Sequence, residues 1–121
     1  MNFMSGEVVE ILLNSNEVYV RPEFSEKILC TTSGNAAAPA GEAVFASIRP
    51  EDVEVYTEPP PDRQNIFKGT IAHRAYLGNF LYLFVNINDT MIRVQVAHHL
   101  PQKEGQELYL FLNPRKCMIL S

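Results

Sequence analysis

Cysteine is scarce in this chain. Only Cys30 and Cys117 occur among its 121 residues, too few for a disulfide framework and without the spacing of a metal site. Two buried free thiols are the expected state. Positive charge is also short: 10 Lys and Arg against 14 Asp and Glu leave a formal charge of −4 and a pI near 5.3. That balance argues against a phosphate-backbone partner, so no nucleic acid is expected to bind. No apolar run approaches the roughly 20 residues that a membrane helix needs. The opening MNFMSGEVVE lacks the basic region of a signal peptide. A cytoplasmic domain is expected.

The usual catalytic signatures are missing as well. There is no glycine-rich phosphate loop of the GxxxxGK type, no GxSxG and no HExxH. His73, His98 and His99 are the only histidines. The adjacent pair would point to opposite faces of a strand and makes a poor chelate, so no metal site is expected. Glu51 and Asp52 have no pocket around them that would perturb a carboxylate. No residue is assigned to catalysis, cofactor binding or metal binding.

What is present is a series of short strands. Gly41–Val55 reads as one strand running into a corner. Val44, Ala46 and Ile48 form one face, and Phe45, Ser47 and Arg49 the other. Pro50 stops the ladder, because it has no N–H to donate and holds Arg49 extended. Arg49, Pro50, Glu51 and Asp52 make a structural corner. Arg49 is expected to be tied down there by a carboxylate or by carbonyls. The pattern returns at Gly105–Leu112 with Pro114, and each corner precedes a short strand, Val53–Tyr56 or Cys117–Leu120.

The chain divides at a stiff connector, residues 57–64, TEPPPDRQ. Residues 1–56 form a first β unit and residues 65–121 a second. Asn2 and Gly6 fall on Asn65 and Gly69 at an offset of 63, as Asn16 and Tyr19 do on Asn79 and Tyr82. Gly41 and Pro50 fall on Gly105 and Pro114 at 64. A tandem β repeat accounts for these matches; chance similarity of two β-rich halves is the alternative.

Within the first unit, strands are expected at Glu7–Leu13, Glu17–Arg21 and Glu26–Thr31, followed by a surface loop at Thr32–Ala40. In the second, Gly69–Ala75 leads to a turn at Tyr76, Leu77, Gly78 and Asn79. Phe80–Ile87 is the most apolar strand, and Met91–Val96 returns from it. Ala97–Glu104 reads as a connection with room for a helical turn. With no long amphipathic helix, the fold class is all-β, a barrel or a sandwich. Phe80, Tyr82 and Phe84 share one strand face, and Tyr109 and Phe111 share another. A platform for single-stranded nucleic acid would need a basic groove. The other readings are a buried layer and a subunit interface. The last makes these five residues the candidate contact of a homodimer, because bare rings on this scale exceed what monomers usually expose.

Together these pieces resemble a known family. They are Asn2-Phe3 with Gly6, the run Ser47–Val53, Asn65 with Gly69, Tyr76-Leu77-Gly78, then Gly105 and Pro114. They look like the transport-associated OB (TOBE) domain at the C-terminus of ATP-binding subunits of bacterial ABC importers. The resemblance covers nearly the whole chain. It implies an OB-like β-barrel assembled from both halves, and a fragment whose parent carries a nucleotide-binding domain before Asn2. It implies a regulatory and dimerisation role without catalysis. ATP and Mg would belong to the parent's nucleotide-binding domain. That domain and the membrane permease complex would be the partners, at the cytoplasmic face of the inner membrane. Layout is most similar in importers of polyamines, ferric iron, sugars or phosphonates. The oxyanion signature of related molybdate-binding modules is absent. A small-ligand or oxyanion-binding module is the alternative, and a nucleic-acid-binding OB domain the third reading.

Overall fold

The computed structural model describes residues 1–12, 15–32, 39–96 and 100–120. Among the described residues ten strands run in chain order. β1 is Asn2–Ile11, β2 Glu17–Pro22, β3 Ile28–Thr31, β4 Ala43–Ile48 and β5 Val53–Tyr56. β6 is Ile66–Leu77, β7 Phe80–Ile87, β8 Thr90–Val96, β9 Glu107–Leu112 and β10 Met118–Leu120. No helix among the described residues is long and apolar enough to cross a membrane.

β1, β2, β3, β10 and β4 close into a barrel, and β5, β9, β6, β7 and β8 form a second sheet. The two have the same order if β6 replaces β1, β7 replaces β2, β8 replaces β3 and β9 replaces β4. Their fifth strands are traded. β10, from the end of the chain, pairs with β4 and β3. β5, from the middle, pairs with β9. The result is an OB-like architecture built from segments of both halves.

The corner prolines are the crossover points. Pro50 is buried and opens a 3-10 turn, Pro50–Asp52, closed by the Asp52 N–H donating to the Arg49 carbonyl at 3.0 Å. A chain that cannot continue the β4 ladder is thereby redirected into the other sheet as β5. After β9, the Lys116 N–H donates to the Asn113 carbonyl at 2.8 Å in the corresponding turn. The bulges also repeat: the ladders shift between Val8 and Glu10 in β1 and between Ile71 and His73 in β6.

The ungapped match of Tyr19 to Tyr82 does not survive. Ile11 pairs with Val18, and Arg74 pairs with Leu83. The β6–β7 hairpin is therefore two residues longer, Val18 corresponds to Leu83, and Tyr19 corresponds to Phe84. β1 also begins at Asn2 rather than Glu7. Its inward Asn2 and Met4 alternate with outward Phe3 and Ser5. Residues 13, 14, 33–38 and 97–99 lie outside the described residues. They take with them parts of the expected first strand, surface loop and connection. Residues 100–104 contain no helical turn.

One apolar core runs through both sheets. It includes Val18, Val20, Ile28, Ala46 and Ile48 from the first, and Leu81, Leu83, Val85, Ile92, Val94, Leu108, Leu110 and Leu112 from the second. Two repeat-related asparagines join the sheets. Asn65 is buried, with φ 61°. Its amide accepts from the Leu29 N–H at 2.8 Å and donates to the carbonyls of Leu29 and Leu112, each at 2.8 Å. Asn2 clamps β8 in the same manner. It accepts from the Arg93 N–H at 2.8 Å and donates to the Arg93 carbonyl at 2.8 Å. Each clamp satisfies backbone groups that no strand partner reaches.

Candidate interaction surface

The expected corner is present, but Arg49 is not tied down. Its side chain is exposed, and no hydrogen bond or ion pair among the described residues holds it. The turn is closed by backbone alone, so the guanidinium has no local role to fill. It stands beside a groove of about 570 Å³ lined by Phe3, Ser47, Asp52, Arg115, Lys116 and Met118, among others. Three cations face one carboxylate there, on a chain of net charge −4.

Tyr76 and Leu77 end β6 rather than forming the turn. Leu77 pairs with Phe80, and Gly78, at φ 66°, makes the reversal with Asn79. Tyr76 and Leu77 are about 60% exposed, at 60% and 62%.

The five aromatic residues do not form one layer. β6 lies between β7 and β9. Phe80, Tyr82 and Phe84 stand beside Leu77, Ala75 and His73, toward one end of β6. Tyr109 and Phe111 stand beside Lys68 and Ile66, toward the other. Much of their cover comes from this chain. Phe111 is buried, with the Arg63 guanidinium 5.0 Å from its ring centre. Phe84 sits between the His73 ring at 5.7 Å and the Arg93 guanidinium at 5.8 Å. The Tyr82 hydroxyl donates to Gln95 Oε1 at 2.7 Å. Tyr109 is half-buried, and Phe80 is exposed. The polar connector hides this cover in the sequence. Its Arg63 serves as a lid, a role that strand periodicity cannot signal.

Cys30 and Cys117 are both free and buried. A hydrogen bond with Cys117 and then burial push the Cys30 thiol far above the ordinary thiol range, which leaves it a poor nucleophile. His73 is exposed, with Nδ1 3.5 Å from Glu104 Oε1. His98 and His99 lie outside the described residues. Among the described residues no cluster of His, Cys, Asp and Glu could hold a metal ion.

Two sheets of one topology that trade their fifth strands define a tandem OB-like β-barrel. A model of the TOBE domain matches residues 46–120, and the chain belongs to that family. It is 24% identical over 124 residues to the spermidine/putrescine import ATP-binding protein PotA of Trichormus variabilis, covering 99% of this chain and 32% of that protein. The PotA protein of Trichodesmium erythraeum is 26% identical over 84 residues, covering 67% of this chain and 22% of that protein. This chain thus spans about a third or less of the length of these relatives. Among solved structures, the molybdate-bound form of the cytoplasmic molybdate-binding protein ModG superposes with a TM-score of 0.82 at 16% identity, covering 98% of this chain and 94% of that one. At that identity the likeness bears on the fold alone.

Proposed function

We propose that this TOBE domain is the accessory regulatory and dimerisation domain of an ATP-binding subunit of a bacterial ABC importer. The observation that carries the reading is the alignment of 99% of the chain with about a third of such a subunit. The domain itself supplies no catalytic group. ATP and Mg bind in the subunit's nucleotide-binding domain, which, with the membrane permease, is its partner at the cytoplasmic face of the inner membrane. The relatives' names give spermidine and putrescine as their cargo, and the same cargo is proposed here. The fold suits the role. Traded strands and reciprocal asparagine clamps make one stiff body, and a stiff body can transmit a change of position between subunits.

A second reading is supported by the ModG fold and by the cations Arg49, Arg115 and Lys116 around one groove. It makes the domain an oxyanion-binding module. Calorimetry of the purified chain with Mg·ATP, molybdate, sulfate and phosphate separates the two. The accessory reading expects no saturable heat with any of them. Saturable binding of molybdate, lost in Arg49→Ala and Lys116→Ala, would establish the second reading. Binding of Mg·ATP would contradict both.

A further inference from the structure

Cys30 and Cys117 are far apart in sequence, and the traded strand brings them side by side. β10 runs parallel to β3, with Met118 opposite Thr31, and the Thr31 N–H donates to the Cys117 carbonyl at 2.7 Å. Each cysteine precedes one member of that pair, so the two are neighbours across the segments. Both side chains point into the same core, where neither exposes any surface, and their thiols are in hydrogen-bond contact. Adjacent strands run about 4.8 Å apart, inside the roughly 4.4–6.8 Å between Cα atoms that a disulfide spans. The two sulfurs can therefore join with little movement of the backbone.

The repeat supplies a control. Met118 pairs with Ser47 as Glu54 pairs with Phe111, so Cys117 corresponds to Val53. The two asparagine clamps hold Leu29 and Arg93, so Cys30 corresponds to Val94. Val53 and Val94 are buried as well. Valine thus meets the packing demand at both positions, and packing does not call for sulfur. The second sheet also lacks the juxtaposition, because among the described residues β5 pairs with β9 and makes no ladder with β8. The thiols stand only where a traded strand closes a barrel.

Access is the other requirement. β10 is the shortest of the described strands, with three residues of which only Ile119 is buried. Met118 with Thr31 is its single ladder pair to β3. A strand held so lightly opens more often than the whole domain unfolds, and its opening uncovers both thiols. We propose that Cys30 and Cys117 are a thiol–disulfide modification site, oxidised by a small-molecule disulfide to an intramolecular bond that latches β10 into the first barrel. Cys117 leaves the core with β10 and reacts first. Its thiolate attacks one sulfur of the oxidant, a mixed disulfide forms, and the first thiolate departs. As β10 folds back, Cys30 gives up its proton and attacks Cys117 Sγ. The Cys30–Cys117 bond forms, and the second thiolate departs. The pair has lost two electrons and two protons, and the oxidant has become two thiols. While β10 is closed, its hydrogen bond and burial keep Cys30 protonated, so the pair stays reduced. The latch goes beyond the accessory reading and does not depend on it.

Oxidised glutathione is the probe, added to the reduced full chain without denaturant and followed by mass spectrometry and thermal unfolding. The parent should lose two hydrogen atoms, keep no glutathione, and yield a peptide pair joined through Cys30 and Cys117. Its thermal midpoint should rise by about 10 °C, because the bond closes a long loop. Dithiothreitol should restore the original midpoint. Cys30→Val should stop at the mixed disulfide on Cys117. Cys117→Val should react at least about tenfold more slowly, because the thiol left in β3 is a poor nucleophile. Valine is the residue the repeat carries at both positions, and circular dichroism checks that each variant is folded; Cys30→Ser and Cys117→Ser replace any that is not. Four outcomes overturn the proposal: thiols that resist until the chain unfolds globally, a parent that stops at a glutathione adduct, a cross-link between copies, or an oxidised form no more stable than the reduced one.

Discussion

Asn65→Ala should lower the unfolding free energy by about 4 kcal/mol, the sum of three buried hydrogen bonds and the backbone groups they leave unpaired. The three bonds reach Leu29 in β3 and Leu112 in β9, so one side chain holds both sheets. Asn65 is buried, so the backbone groups it holds would lose their partner inside the fold. Part of the loss is conformational. Asn65 has φ 61°, a left-handed geometry that costs alanine roughly 1 kcal/mol more than glycine. Asn65→Gly should therefore lose less than Asn65→Ala while still breaking the clamp. Urea unfolding of both variants measures the difference. A loss under about 1 kcal/mol for Asn65→Ala, the size of one ordinary hydrogen bond, would show that the clamp does not hold the sheets. Asn2→Ala removes two bonds rather than three and should cost less.

Gly6→Ala should cost about 3 kcal/mol, near the upper end of what overpacking usually produces. A methyl built on Gly6 would stand 2.5 Å from the Arg21 carbonyl oxygen and 2.8 Å from Val20 Cγ1. The first is backbone of the paired strand and cannot rotate away, so β1 and β2 must separate and lose ladder hydrogen bonds. The repeat supplies the control. On Gly69 the short contact, also 2.5 Å, is to Val85 Cγ1, and the nearest backbone atom, the Asn86 oxygen, is at 3.1 Å. A side chain yields more readily than a ladder, so Gly69→Ala should be the milder of the two. Thermal unfolding of the pair decides it, and equal losses would mean that the close backbone approach is not what selects glycine.

Strong alternation made much of the fold legible. β7 occupies the bounds read from the sequence, Phe80–Ile87, and β9, Glu107–Leu112, lies within the expected Gly105–Leu112. Their aliphatic faces fill the core as expected, because a strand buried on one side has only one way to place its residues. The corner prolines were legible too, since a missing N–H ends a ladder in any context. The exchange of β5 and β10 was not readable from local pattern. Strands of 4 and 3 residues fit either sheet, and only the resemblance to TOBE domains pointed to a barrel drawn from both halves. The repeat aligns Asn2 with Asn65 but does not disclose their roles. A buried amide acts through backbone groups far away in sequence, which composition does not reveal.

Surface chemistry was the hardest to foresee. The expected partners for Arg49 were a carboxylate or carbonyls, but a 3-10 turn closed by its own backbone needs none, and Glu51 stays exposed. By their pattern alone, the aromatic residues of β7 and β9 call for an external cover. Cations from β8 and from the connector supply part of it, as Arg93 does for Phe84 and Arg63 for Phe111. The face left most open, around Phe3 and Phe45, lies in the first sheet. Its rings are spaced among serines, so neither strand reads as an aromatic stripe.

The central claim is that this domain regulates an ATP-driven importer subunit without contributing to nucleotide chemistry. The measurement that reaches it most directly is ATP hydrolysis by that subunit in its assembled transporter, with the domain present and with it removed. Removal should leave ATP binding and basal hydrolysis intact while uncoupling hydrolysis from cargo uptake. Loss of ATP binding on removal, or hydrolysis by the isolated chain that survives repurification, would contradict the account.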